Sequence, residues 1–218
     1  MTFRKRRDAL RSILSGSTCI RPGSVYDAIS IRLAQDIGFE VGMFGGSIAS
    51  LAVLGDPDIA LITLSELAEQ MRRMSRAASL PVLVDADHGY GNALNVRRTV
   101  EELEAAGAAG LTIEDTLLPQ AFGQSAAQLI SLEEGVGKMK AALDARGDPA
   151  LVILARTGAA SISGLDDAIA RAKAYQATGV DALFFTGVAT RAELEAISAA
   201  TTLPIVLGGF PEELDSLG

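Results

Sequence analysis

Among 218 residues there is one cysteine, Cys19, and one histidine, His88. A lone cysteine cannot close an internal disulfide, so a reducing, cytoplasmic setting is expected. No His or Arg environment is legible around Cys19, which reads as a small buried side chain rather than a nucleophile. Positive charge is the minority: 19 Lys+Arg against 27 Asp+Glu leave a net charge of −8 and a pI near 4.7. That balance excludes a broad nucleic-acid or anionic-membrane surface, which needs clustered Lys and Arg. It leaves room for a small anionic substrate, for which one or two local positive charges suffice. No run of about 18 apolar residues could span a bilayer. The basic stretch Arg4-Lys5-Arg6-Arg7 is followed by Asp8 and Arg11, not by the apolar core of a signal peptide. It reads as a solvated first helix turn. No Gly-x-Gly-x-x-Gly opens the first helix and no phosphate-loop Gly-Lys-Ser/Thr occurs, which argues against dinucleotide and nucleotide binding.

What remains is 49% hydrophobic and 21% charged, a globular composition. Short apolar runs at Phe39–Phe44, Pro81–Val84, Gly110–Ile113, Leu151–Ala155, Ala182–Phe185 and Pro204–Leu207 read as strands, with a weaker one near Ile20–Val25. They are apolar on both faces, as in a parallel sheet covered by helices. Amphipathic stretches alternate with them at Ala28–Ile37, Leu64–Ala78, Ala93–Ala106, Leu132–Ala145, Leu165–Ala177 and Arg191–Ala199. Gly38, Gly107, Gly147 and Gly179 follow helical stretches as expected C-terminal caps. Thr63 with Glu66 makes a capping box. About seven strand–helix repeats in one α/β domain over residues 1–218 predict a (β/α)8 TIM-type barrel, with a doubly wound sheet as the rival. After the seventh strand Pro211–Gly218 reads as the start of a helix, so an eighth unit is expected to be missing from a chain truncated at its C-terminus.

In such a barrel the chemistry lies at the C-terminal ends of the strands. Acids gather there: Asp85 and Asp87 after the third strand, Glu114-Asp115 after the fourth, and Asp58 in the loop after the second. Asp85 and Asp87, two apart, share a strand face. Carboxylates converging without Cys or clustered His form a hard, oxygen-rich site suited to Mg²⁺ or Mn²⁺ rather than Zn²⁺. Arg156, ending the fifth strand, offers a planar fork to a substrate carboxylate, or else pairs with a neighbouring acid. Gly45-Gly46-Ser47 offers amides and a hydroxyl to an anion, or is a bare turn. His88, just past a site strand, is expected to orient an acid or the loop more than to shuttle protons.

The strings Gly45-Gly46-Ser47, Asp85-Ala86-Asp87-His88-Gly89-Tyr90-Gly91, Ile113-Glu114-Asp115 and Ala155-Arg156-Thr157, in that order, resemble the phosphoenolpyruvate mutase/isocitrate lyase superfamily. The stretch through Asp58 and Gly91–Val96, and the loop Thr116–Gly123, are most similar to its oxaloacetate decarboxylase branch. The resemblance implies that Asp85 holds Mg²⁺, with Asp58, Asp87 and Glu114 acting mainly through water on the ion. Ser47 and the backbone at Gly46 would bind one end of a small 2-oxo dicarboxylate, and Arg156 a carboxylate. It also implies a homodimer or homotetramer of the full-length chain. Loss of CO2 from oxaloacetate through a metal-stabilised enolate needs no enzyme base to start it. Retro-aldol cleavage of a 2-methylisocitrate- or dimethylmalate-like diacid does need an acid, and Leu117–Gly123 lacks the Cys of the lyase-type loop. A truncated, inactive member is the third alternative. Gly158 stands where many members have Asn or Asp, and the branch's substrate-contacting His of the eighth strand has no counterpart. The loop Leu117–Ser131 is expected to act as a lid.

Overall fold

The computed structural model describes residues 2–209. Seven strands alternate with helices: α1 (Phe3–Leu14), β1 (Gly23–Ser24), α2 (Ala28–Ile37), β2 (Gly42–Phe44), α3 (Gly46–Val53), α4 (Leu64–Ala77), β3 (Val82–Asp85), α5 (Ala93–Ala106), β4 (Gly110–Glu114), α6 (Leu132–Ala145), β5 (Val152–Thr157), α7 (Ala159–Ile162), α8 (Leu165–Gln176), β6 (Ala182–Thr186), α9 (Arg191–Ala199) and β7 (Ile205–Gly208). The sheet is parallel and its strands lie in chain order, β1 to β7. Parallel neighbours joined by right-handed crossovers put the long crossover helices on the same face. The helices accordingly pack side by side in sequence order, α2 on α4, α4 on α5, α5 on α6, α6 on α8 and α8 on α9. A sheet covered on one face curls around the other, giving a parallel half-barrel rather than a doubly wound sheet. The expected eighth unit and the helix at Pro211–Gly218 lie outside the described residues.

Strand alternation sorts the side chains into two cores. Phe44, Val82, Val84, Leu111, Ile113, Ile153, Ala155, Leu183 and Phe185 point outward and pack against the helices. Val41, Leu83, Val152, Leu154, Ala182 and Phe184 point inward. Register stacks the inward positions in rows. Leu83, Gly110 and Val152 form one row, Asp85, Thr112 and Leu154 the next, and Glu114, Arg156 and Phe184 the row nearest the strand ends.

Capping matches the sequence signals at most ends. Thr63 and Glu66 form the expected box, Asp27 and Asn92 head further boxes, and Gly38 and Gly107 close α2 and α5 in the left-handed conformation. Gly147 does not cap α6, because the helix ends at Arg146 in extended backbone. Gly179 lies beyond the α8 cap residue, Ala177.

The basic N-terminus is solvated only in part: Arg4 and Lys5 are exposed, Arg6 and Arg7 are buried. Arg7 is buried and binds Asp148 at 2.9 Å, Glu104 at 3.4 Å and the carbonyl of Ala108 at 3.2 Å. Arg11 donates to the carbonyls of Pro149, Ala150 and Leu151 and to Asp181. These partners lie just before β4, β5 and β6, so α1 lies across the N-terminal end of the half-barrel. Its Leu10 is buried there, and a Cβ at Gly110 would come within 2.8 Å of the Leu10 side chain. Cys19, expected inside, is exposed, because it lies in the exposed run leading from α1 to β1.

Candidate active site

The residues singled out in the sequence meet at the opposite end, where the strands finish. Gly45 has no side chain with which to cap α3, so the first amides of that helix face the acids instead. The Gly46 N–H donates to Asp85 Oδ2 at 3.3 Å. Gly46 is buried, and a Cβ there would lie 2.8 Å from Asp87 Oδ1, 3.3 Å from Asp58 Oδ2 and 3.5 Å from Asp85 Oδ2. Three carboxylates, two from the end of β3 and one from the segment between α3 and α4, therefore surround one missing side chain. The turn is also the start of a helix that the sequence reading did not contain: the α3 segment shows little amphipathic alternation and directly follows two glycines.

Asp85 is the centre. Arg156 Nη1 contacts both its oxygens, at 2.7 and 2.6 Å, and Arg156 Nη2 reaches Glu114 Oε2 at 3.1 Å. Thr112, which faces Asp85 across the β3–β4 register, donates its hydroxyl to Asp85 Oδ1 at 3.2 Å, and the Asp87 N–H donates to the same oxygen. Thr112 was not among the residues singled out. Its position two before Glu114 on a strand was the signal that could have found it. Arg156 is thus paired with neighbouring acids and stacked 5.7 Å from the Phe184 ring, while its Nε is buried without a partner among the described residues.

Crowding of like charge shapes the acids. Burial, then the charges of Asp85, Asp58 and Glu114, push Asp87 up to about 8. Burial raises Asp58, with Asp85 adding to it. Burial also raises Glu114, although Arg156 and a hydrogen bond from Thr116 oppose this. For Arg156 burial lowers the pKa, but Asp85 and Glu114 outweigh it and the guanidinium is held charged. Asp87 sits at φ 47°, in the left-handed region, which turns its carboxylate back toward Gly46.

Among the described residues no three His, Cys, Asp or Glu are arranged to hold an ion directly. The donor set nevertheless fits a hard divalent cation. Four carboxylates face one guanidinium, and burial first, then the charge of neighbouring acids, raises Asp58, Asp87 and Glu114.

Other expectations resolve locally. Ser47 is the second residue of α3 and is exposed. Glu114 and Asp115 part company, as strand neighbours must: Glu114 points inward to Arg156, and Asp115 points outward to Arg171 at 2.9 Å. Burial, with Lys138 adding to it, lowers His88 to about 4, and its Nδ1 has no partner among the described residues. A histidine so lowered is neutral around pH 7 and is poorly matched to shuttling protons there. At Gly158 a Cβ would press on Thr186 Oγ1 at 3.1 Å and Ile162 Cδ1 at 3.3 Å. Those two side chains crowd the place where a larger side chain would stand. The loop from Thr116 to Leu129 is pinched at its base by a bridge between these two residues and is exposed beyond it.

Residues 10–216 match the family model described as phosphoenolpyruvate phosphomutase. An oxaloacetate decarboxylase of Bradyrhizobium sp. strain BTAi1 is 78% identical over 218 residues, covering 100% of this chain and 76% of that protein. One from Rhodopseudomonas palustris strain CGA009 is 79% identical over 214 residues, 98% of this chain and 74% of that protein. Among solved structures, oxaloacetate acetylhydrolase in complex with 3,3-difluorooxalacetate superposes with a TM-score of 0.87 at 27% identity, over 97% of this chain and 73% of the other. Phosphonopyruvate hydrolase in complex with oxalate and Mg²⁺ superposes with a TM-score of 0.84 at 32% identity, over 95% and 72%. With its whole motif series assembled at one rim of the sheet, the chain belongs to the phosphoenolpyruvate mutase family.

Proposed function

We propose that this chain decarboxylates oxaloacetate to pyruvate and CO2 in the presence of Mg²⁺. The observation that carries this is the ring of Asp58, Asp85 and Asp87 around Gly46, joined to Arg156 and Glu114. Relatives named for this activity, 78% and 79% identical, support the same choice. Breaking the C3–C4 bond leaves its electron pair on C3, delocalised into the C2 oxygen as an enolate, while C4 departs as CO2. A proton on C3 then gives pyruvate. No side chain has to remove a proton first, which suits a site whose loop Leu117–Gly123 holds no Cys, Lys or His.

Asp85, Asp87, Asp58 and Glu114 would hold the ion, with Asp85 as its direct ligand. When bound, a divalent ion supplies Lewis-acid polarisation of a 2-oxo acid and neutralises the excess negative charge. The chain's own groups do the rest. Ser47 and the first amides of α3 lie at the positive end of a helix dipole and favour the developing oxyanion. Arg156 pairs with Asp85 and Glu114 and gives a substrate carboxylate its cationic partner, exchanging one acid for it. Thr112 fixes the rotation of the Asp85 carboxylate.

In this proposal residues 1–218 are one TIM-type barrel domain of about seven β/α units without the eighth, the protein works in the cytoplasm, and the full-length chain assembles into homodimers or homotetramers. The exposed apolar side chains Ile29, Leu33 and Ile37, one turn apart on α2 and 69%, 55% and 73% accessible, support assembly. No helix among the described residues is long and apolar enough to cross a membrane. The deciding experiment follows oxaloacetate loss and pyruvate gain with Mg²⁺ and with chelator. A chain that ignores oxaloacetate but cleaves 2-methylisocitrate or dimethylmalate would be a carbon–carbon lyase instead.

A further inference from the structure

Behind the acid ring, on the helix side of the sheet, lies a second polar cluster that the reaction does not use. Arg171 on α8 is buried and spends its guanidinium on four partners. Nη1 binds Asp115 Oδ2 at 2.9 Å and lies 3.4 Å from the Tyr175 hydroxyl. Nη2 donates to the Ile130 carbonyl at 3.1 Å, and Nε to Asp167 Oδ2 at 2.9 Å. Tyr175 donates to the same Asp115 oxygen at 2.6 Å.

Asp115 and Ile130 are the two feet of the loop at residues 116–129. The Ile130 N–H donates to the Asp115 carbonyl at 2.9 Å, and the Leu117 N–H to the Gln128 carbonyl at 2.8 Å. One guanidinium therefore pins both feet, through a side chain on one and a backbone carbonyl on the other. Through the Asp115 N–H it also reaches the strand end that presents Arg156, whose carbonyl accepts that N–H at 3.2 Å. Thr116, the first residue beyond the clamp, hydrogen-bonds Glu114. Beyond the pinch residues 119–128 are exposed, Phe122 fully so.

We propose that Arg171, held by Asp115 and Tyr175, is a positioning residue that anchors the 116–129 loop as a hinged cover and sets its register against Glu114 and Arg156. Arg171 touches no substrate and acts only through the loop feet. A planar fork is required, because no single ammonium can serve Asp115, Asp167 and the Ile130 carbonyl together. The kinetic part of this claim rests on the decarboxylase proposal; the structural part does not.

The test compares Arg171→Lys and Tyr175→Phe with the unaltered chain by amide hydrogen exchange, oxalate affinity in Mg²⁺, and oxaloacetate kinetics. Exchange should quicken about 10-fold or more in residues 116–131 of the lysine variant and less in the phenylalanine variant, with strands β2 and β3 unchanged. Oxalate should bind about 10-fold more weakly, and KM should rise more than kcat falls, because a cover with loose feet closes less readily. Unchanged exchange across residues 116–131 would overturn the proposal. So would an acceleration spread evenly over the sheet in the milder Tyr175→Phe variant, which would mark the cluster as general packing. If oxaloacetate is not a substrate at all, local exchange still decides the anchoring role.

Discussion

Replacing Gly46 with Ala separates activity from stability more cleanly than any acid substitution. The new Cβ would sit 2.8 Å from Asp87 Oδ1, where ordinary contact begins at about 3.4 Å, so something must give by about 0.6 Å. Asp87 cannot simply swing away. It is buried, its backbone is fixed at φ 47°, and Asp58 and Asp85 occupy the neighbouring space at 3.3 and 3.5 Å from the same point. Misplacing a reacting group by about 1 Å costs on the order of 100-fold, so a shift of this size should lower kcat/KM roughly 10- to 100-fold. The fold should barely notice. Gly46 is a helical residue with no positive φ, and Gly→Ala at such a position contributes about 0.4–1 kcal/mol of stability through the unfolded chain, offsetting much of the local crowding. Urea unfolding, Mn²⁺ binding and oxaloacetate decarboxylation measured on one preparation give all three numbers. Wild-type kcat/KM within twofold, with the alanine in place, would refute the idea that the acids converge on this point.

Further outcomes follow from the same geometry. Arg156→Lys keeps a charge but cannot span Asp85 and Glu114 at once, so kcat/KM should fall about 10- to 100-fold; a loss below twofold would make the fork dispensable. Asp87 titrates at about 8 in the folded chain against an ordinary 3.8, so the folded chain keeps a proton that the unfolded chain has released between those values. Metal-free stability should therefore fall as pH rises from about 4 to 8, and Asp87→Asn should be flatter and more stable at pH 8; urea midpoints with chelator that show the same pH slope in both would contradict this. Saturating Mg²⁺ should raise the melting temperature, by an amount equivalent to about 2.7 kcal/mol at 100 times its Kd, and Asp85→Ala should abolish that response. Arg7→Ala leaves Asp148 and Glu104 without their buried partner, and a loss of about 2–4 kcal/mol should appear in urea melts with little change in kcat per folded molecule.

Much of this was legible because strand ends and helix ends carry chemical punctuation. The alternation of apolar runs and amphipathic stretches marks six helices and seven strands within a few residues, and the acids stand where those runs stop. What escaped did so for identifiable reasons. The helix after Gly45 follows two glycines and shows little alternation. The arginines at the N-terminus look solvated until tertiary contacts bring Asp148, Glu104 and Asp181 to them. The adjacent pair Glu114-Asp115 reads as one acidic patch, and only the pleat reveals that one side serves the site and the other the loop. Arg156 reads as a fork for substrate or as the partner of a neighbouring acid until register sets it beside Glu114 and within reach of Asp85.

The helix laid across the far end of the sheet has a consequence for traffic. With Leu10 wedged above Gly110 and Phe184 lying beneath Arg156, the described interior has a floor directly under the acids. The site is a cul-de-sac in that direction, not a tunnel. Substrate and products therefore pass by the strand-end rim, or by the edges of β1 and β7, which pair with no further strand among the described residues. What enters by the rim has to leave on the same side as the acids or by those edges, because α1 and its arginine contacts seal the opposite end.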